Sequence, residues 1–593
     1  MGLRCACCMS LGVEAFLLIA GAVLSVCAWR TVLAARKGLV GYLRIVTISR
    51  RRTVLCSFLL PLVVLPALTL RTGVPQPNVH DEFVYLLIGD TFARGRLTNE
   101  PPADSEHFRS PHVLMSPTYQ GKYPPAQGLF LAAGQVLMGM PIAGVWLSFA
   151  AASASVCWMM QGVAPNRWSL LAGVLFSLHP MISIAWGETY WGGAVAASGG
   201  ALMFGSLARL DRRSSMITSL VLGLSVVVLA ASRPFEGGLL SVVGAVWFLR
   251  CLFQHGWRDR IRVIVPATAI IMCGAGAMAI YNHAVTGDAW KMPYQAWVEQ
   301  HATRDSIASI VYQTGSIRDI VDVESGRLNM SSMQFKAIRH HFFFLRFALI
   351  VPLLAVPWIL RRKHTVPLLA GYGIVYGFVI TNSYPGFPHY FAPATPLLCG
   401  LIVQGVRQMS AFPGRLQAFA GVSVAVVLSS GVGAMWAWSD VPYTPDKQWV
   451  YARRSVEVYL ESRADRSLVI VQYSADRDPG DEWVWNSGDL DVQHVVWAHS
   501  LSSDADHHLV AGRAERTAWV LDVGKTSCRL RRITSELHVS GEEVVFAFHQ
   551  GTTARKRRIA GSPAIRNLTA ADTREAISVR HEAERSAETN VNK

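Results

Sequence analysis

Charge is scarce in this sequence. Only 16% of the 593 residues are Asp, Glu, Lys or Arg, whereas 51% are hydrophobic. A water-soluble chain of this length would split into several domains and carry more charge on its surface. Acidic residues are almost missing from the long apolar runs. That argues against an ion-coupled transporter, which places carboxylates near the membrane midplane. Cysteine is sparse where it would matter for an exported domain. The polar C-terminal part holds only Cys528, which excludes an internal disulfide framework there. Cys5, Cys7 and Cys8 cluster near the N-terminus without a second ligand pair at zinc spacing, so they read as part of an ordinary leader. Internal repeats are also missing.

What the sequence has in abundance is long apolar runs. Crossing the hydrocarbon core takes about 20 mostly apolar residues. Candidate spans fall at 11–33, 53–70, 142–162, 168–186, 190–208, 215–232, 237–253, 263–282, 342–360, 365–381, 390–407 and 416–438. The expected fold class is therefore an α-helical polytopic membrane protein with about 12 transmembrane helices. The first run is long for a signal peptide core and no small-residue cleavage pattern follows it, so it reads as a signal anchor or an extra first helix. The short, Gly-rich stretch 126–140 either lies in the interface or begins the third span.

The net charge of +15 reports topology rather than nucleic-acid binding, because the basic residues alternate with the apolar runs. One set of connections carries Arg36, Lys37, Arg44 and Arg50 to Arg52, then Arg167, then Arg209, Arg212 and Arg213, then Arg258, Arg260 and Arg262, then Arg361, Arg362 and Lys363, then Arg407 and Arg415. These are the expected cytoplasmic loops. The other set, 71–125, 187–189, 233–236, 283–341, 382–389 and everything after about 440, is then extracytoplasmic. The expected location is the plasma (inner) membrane, multi-pass, with the C-terminal domain outside.

From Asp440 the chain turns polar. Ser467–Tyr473 and Thr517–Val523 read as buried strands and Val450–Leu460 as a helix, which suggests a small extracytoplasmic α/β domain. Beyond about Thr552 no apolar period remains, and disorder is expected. The expected organisation is 1–52, an N-terminal anchor and basic loop; 53–440, the transmembrane domain with outer loops 71–125 and 283–341; 441–551, the α/β domain; and 552–593, a polar tail.

Polar chemistry gathers in the outer loops. The first contains His80-Asp81-Glu82 just after a span. Adjacent carboxylates at a low-dielectric boundary suit general-base work, although on spacing alone solvated acids capping a helix are the better explanation. Lys122 and Tyr123 precede Pro124-Pro125, which set the start of the next apolar helix. Lys122 suits an anionic headgroup, or simply snorkels. Short turns present Glu188, Arg233, and His389-Tyr390. Arg233 has the planar donor fork that phosphate favours, while the nearby aromatics also fit an interfacial belt.

The runs HDEFVYLLIGD, KYPPAQGLFLAAGQ, TYWGGAVAASGGAL, SRPFEG and HYFAPATPL resemble the GT-C superfamily of membrane glycosyltransferases, in the bacterial branch related to protein O-mannosyltransferases and aminoarabinose transferases. The resemblance covers about 53–440, and EWVWNSGDLDVQHVVWA resembles the C-terminal part of bacterial members. It implies transfer of a sugar from a polyprenyl-phosphate carrier to an acceptor on the outer face, usually with inversion. It implies Asp81 as the general base, with Glu82 in support, and Lys122, Arg233 and His389 at the donor phosphate. His80, Glu188, Tyr123 and Tyr390 become acceptor-facing or supporting candidates. No metal, cofactor, nucleotide-sugar domain or nucleic acid is implied, and the acceptor is left open among protein, lipid and polysaccharide. The sequence departs from the family where a second acidic residue often begins a later span, with Glu188 just ahead of that position. Two other readings remain, a flippase for lipid-linked glycans and a non-catalytic scaffold.

Overall fold

Long apolar helices dominate the computed structural model, which describes residues 16–301, 332–381, 386–438 and 448–548, except 24, 43, 413, 479, 534–536 and 538. Residues 11–15 of the first expected span, 302–331 of the long outer loop, 382–385, 439–447 and the tail 552–593 lie outside the described residues. Five described helices are long and apolar enough to cross a membrane: Arg50–Thr72, Pro141–Gln161, Gly193–Leu210, Pro234–Gln254 and Trp257–Thr286. A sixth follows if Asn166–Leu178 and Pro180–Gly187, bent by 62°, form one span. This is a membrane protein; among the described residues the qualifying spans number five, or six with the bent pair, and do not by themselves reach the expected count of about 12.

The difference has local causes. Ala126–Met138, Met216–Ala230 and Thr365–Thr381 are apolar helices of 13, 15 and 17 residues. At about 1.5 Å per residue they fall short of the ~30 Å hydrocarbon thickness. The expected span 342–360 is broken into a π-turn at His341–Leu345 and short helices at Ile350–Leu353 and Val356–Ile359. Pro352 and Pro357 each lack the N–H that would continue the helical ladder. Arg346, at φ 51°, turns the backbone between the first two pieces. The expected span 390–407 begins as a 3-10 turn, Pro388–Ala394, before the helix Thr395–Met409. That turn lies flush on the Gly193–Leu210 helix, where a Cβ on Gly200 would stand 1.8 Å from the Pro393 carbonyl oxygen. Glycine there lets the turn that carries His389 pack against this helix.

The C-terminal strands read from the sequence are present. β3 (Ser467–Tyr473) pairs in parallel with β4 (Val495–His499) and β5 (Thr517–Val523), while β6 (Ser527–Ile533) and β7 (Val539–Ala547) continue the sheet antiparallel, in the order β4-β3-β5-β6-β7. The helix Gln448–Glu461 packs beside them. The parallel central strands bury near-continuous apolar runs, and Trp483, Trp497 and Trp519 fill the core.

The sheet domain docks on the helix His80–Ala93. Buried Arg453 donates from Nε to the Trp483 carbonyl at 2.9 Å and from Nη2 to the Trp485 carbonyl at 2.8 Å. The segment is thereby fixed, and the Trp485 ring stacks on Phe83 at 4.8 Å with a 10° interplanar angle. Farther along the helix the Gly488 N–H donates to Asp90 Oδ2 at 3.0 Å. A side chain at Gly488 would run into Thr91 and Asn99. Arg96 pairs with Asp489 at 3.2 Å. The expected result of Trp485→Ala is a loss of about 3–5 kcal/mol, because the ring is buried. Thermal unfolding in detergent measures it, and an unchanged midpoint would rule out the docking role.

Candidate active site

A two-residue hairpin brings distant side chains together. β1 (Val113–Leu114) pairs antiparallel with β2 (Gln120–Gly121), and the pairing continues one step to the Lys122 N–H, which donates to the His112 carbonyl at 3.1 Å. His112 and Lys122 thus face each other, and their side chains meet, Lys122 Nζ to His112 Nδ1 at 2.8 Å. Aromatic rings surround the Lys122 ammonium, with the Trp297, Tyr294 and Tyr123 centroids 3.6, 5.0 and 5.4 Å away. Burial pushes Lys122 down to about 7, against the opposing pull of Asp81.

Asp81 begins the helix His80–Ala93 and keeps its side chain 31% exposed. Its Oδ1 accepts the Tyr123 hydroxyl at 2.6 Å and lies 3.6 Å from His112 Nε2. Burial first, and then Asp81, pushes the Tyr123 phenol well above its ordinary value, so it stays a donor. Burial and the Lys122 charge push His112 well below the ordinary imidazole value, so its ring is neutral. The Tyr123 ring stacks on Tyr85 at 4.9 Å.

Arg233 approaches from the other side. Its guanidinium stands 5.5 Å from the Tyr390 ring, close enough to Asp81 and Tyr85 for their charges to act on it. Among the described residues no side chain or carbonyl hydrogen-bonds or ion-pairs with that guanidinium. His389 is buried against Trp191 at 4.8 Å and Tyr390 at 4.5 Å, and among the described residues its Nδ1 has no hydrogen-bond partner. Burial, then Arg233 and Arg339, pushes His389 well below its ordinary value. Lys122 and Arg233 thus place positive charge near Asp81, and Glu236 stands beside Arg233 as a second acidic neighbour.

Three expected residues face elsewhere. Glu82 is buried beneath the site, where Oε1 accepts the Tyr190 N–H at 3.0 Å and Oε2 the Asn78 N–H at 2.5 Å. Gln127 donates to the Tyr190 carbonyl at 3.0 Å, and the Ala126 N–H donates to the Ala231 carbonyl at 2.9 Å. Glu82 and the Pro124-Pro125 turn therefore hold the 188–193 and 231–233 turns in place. His80 Nε2 bonds the Gly480 carbonyl at 2.8 Å, joining the helix to the sheet domain. Glu188 faces the Arg50–Thr72 helix instead of Asp81, accepting the Thr69 hydroxyl at 3.1 Å.

Burial pushes Glu188 up to about 8 from 4.5. The folded state then holds a proton that the unfolded chain has lost between those values. The stability this contributes is full at acid pH and is lost as pH rises through that window. Glu188→Gln is expected to flatten the fall in unfolding temperature between pH 5 and pH 8. An unchanged slope would show that the side chain is ionised in the fold.

The sequence reading missed His112, Tyr294, Trp297 and Arg339. Aligning HVL against QGK as antiparallel strands would have placed His112 opposite Lys122. The other three come from the long outer loop, where periodicity carries no signal.

No protein-family model matches the sequence, and no curated protein matches it. Solved structures similar to it at low identity include three that follow. ArnT from Cupriavidus metallidurans bound to undecaprenyl phosphate is 14% identical, with a TM-score of 0.48, over 78% of this chain and 92% of that one. The Archaeoglobus fulgidus oligosaccharyltransferase tethered to an acceptor peptide is 13% identical, TM-score 0.46, over 80% and 68%. The same enzyme, AglB, with an inhibitory peptide and a dolichol-phosphate gives 13% identity and 0.41, over 80% and 69%.

Proposed function

We propose that this chain is a membrane glycosyltransferase that moves a sugar from a polyprenyl-phosphate carrier to an acceptor on the extracytoplasmic face of the inner membrane. The observation that carries this is the pairing of one partly exposed carboxylate, Asp81, with the guanidinium of Arg233 and the caged ammonium of Lys122. A base and a phosphate site side by side are what such a transfer needs. The sequence resemblance to GT-C enzymes supports the same reading.

In the proposed reaction Asp81 takes the acceptor hydroxyl proton as the oxygen attacks the anomeric carbon. The sugar–phosphate bond breaks, and the phosphate leaves with the electron pair. Attack opposite the leaving group inverts the anomeric centre. Lys122 and Arg233 hold the phosphate as charge builds on it, and Tyr123 fixes the Asp81 carboxylate. His389, neutral and buried, is able to donate or accept at the phosphate rim. Glu82 supports the site by positioning the turns around it. The domain boundaries at 52, 440 and 551 and the outward C-terminal domain belong to the same proposal. Its test is the mass of cell-envelope glycans from cells carrying the wild type or no copy. A mass difference of one sugar unit is expected, and identical glycans would count against transfer.

A further inference from the structure

His112 touches both the base and the phosphate-binding lysine, and it belongs to neither group. Among the described residues its charged and titratable neighbours come from three places. The helix His80–Ala93 supplies Asp81, 3.6 Å from Nε2, and His80, whose ring centroid is 6.3 Å away. The hairpin supplies Lys122 at 2.8 Å from Nδ1 and the Tyr123 ring at 6.0 Å. The helix Pro293–His301 supplies the charge of His301 and the face of Trp297 at 5.3 Å. Left-handed backbone at His112, φ 66°, turns the ring into this space.

We propose that His112 transmits the charge state of Lys122 to Asp81, so that a phosphate group held at Lys122 readies the base. This rests on the glycosyl-transfer reading above. A charged Lys122 has only N–H groups to offer, so Nδ1 must accept. The single ring proton of a neutral imidazole then sits on Nε2, aimed at the Asp81 carboxylate. A small movement closes that 3.6 Å gap into a hydrogen bond, which favours the ionised carboxylate. A neutral Lys122 amine permits the opposite tautomer, in which Nδ1–H donates to Nζ. The Nε2 lone pair then faces Asp81 and favours a protonated, inactive carboxyl. Burial leaves Lys122 close to this balance, so an anion beside it decides between the two states. No covalent bond between heavy atoms changes; the Asp81 proton passes to Nε2 as Nδ1 gives its own to Lys122 Nζ, so the number of protons is the same in both states. The consequence is an order of events, with the acceptor deprotonated only when the carrier phosphate is in place.

The test is the pH–rate profile of transfer at saturating polyprenyl-phosphate sugar for the wild type and three variants. His112→Ala removes both contacts. His112→Asn places an amide where Nδ1 stood, keeping Lys122 and losing Asp81. His112→Gln reaches Asp81 with a permanent N–H donor. The expected result is an acid limb moved to higher pH by about one unit in H112A and H112N, and a limb at the wild-type position in H112Q. If H112A fails to fold, the H112N and H112Q pair decides. A wild-type limb in H112N, or a limb in H112Q shifted as far as in H112N, overturns the inference and leaves a structural histidine. Absence of transfer in the wild type itself would sink the glycosyl-transfer reading, and this inference with it.

Discussion

Asp81→Asn is expected to lower sugar transfer about 10²–10⁴-fold in kcat, with expression and unfolding temperature unchanged. The asparagine oxygen still accepts the Tyr123 hydroxyl at the position of Oδ1, so the local geometry survives. What is lost is the ability to take a proton from the acceptor. The side chain is partly exposed, so the amide leaves no buried polar atom stranded. The neighbouring carboxylate cannot step in, because both Glu82 oxygens already hold backbone N–H groups beneath the site. Transfer at the wild-type rate in the mutant would remove Asp81 as the base.

Lys122→Met is expected to weaken carrier binding by about 2–4 kcal/mol, a rise of roughly 30- to 1,000-fold in the donor concentration needed. Methionine keeps an unbranched apolar stem inside the cage of Trp297, Tyr294 and Tyr123, so packing is largely retained. The fold should not suffer, since a desolvated ammonium is itself costly to bury. The cation–π contact with Trp297 offsets only about 2 kcal/mol of that cost. Titration with polyprenyl phosphate reads the effect directly. Equal affinity in both proteins would take Lys122 out of the phosphate site. A loss of turnover with unchanged affinity would move its role from binding to the chemical step.

These two expectations draw on residues that stand 41 positions apart in the chain and meet only through a hairpin. The sequence made each of them visible separately. Asp81 follows an apolar run directly, and Lys122 precedes a double proline that starts a helix. Nothing in the pattern showed that Tyr123 would hold Asp81 or that His112 would stand between them. β1 and β2 are two residues each, too short for alternation to register. The longer C-terminal strands β3 and β5 were legible because each is seven residues long and mostly apolar. Hydropathy found the apolar stretches but overstated what they form. It sums side-chain polarity and takes no account of backbone donors, so it read 342–360 as one span where Pro352 and Pro357 break the ladder. Glu82 shows the opposite limit. Its place beside Asp81 made it look catalytic, and the helical turn carries it instead to the Tyr190 backbone.

The sheet domain adds a point that composition did not suggest. The helix bearing Asp81 is held by membrane helices on one side and by Trp485, Gly480 and Gly488 on the other. The base is therefore positioned jointly by the two parts of the chain. This gives the segment EWVWNSGDLDVQHVVWA a physical task, since Trp485, Gly488 and Asp489 all lie within it.

The central claim is that a glycosidic bond is made at the Asp81–Lys122–Arg233 site. The direct measurement uses purified wild-type protein in vesicles loaded with a polyprenyl-phosphate sugar labelled in both the sugar and the lipid. Cell-envelope extract serves as the acceptor source. The account predicts that free polyprenyl phosphate appears together with labelled sugar on an acceptor, in equal amounts, and that both vanish in Asp81→Asn. Movement of intact lipid-linked sugar across the bilayer, with no polyprenyl phosphate released, would contradict it and leave a flippase.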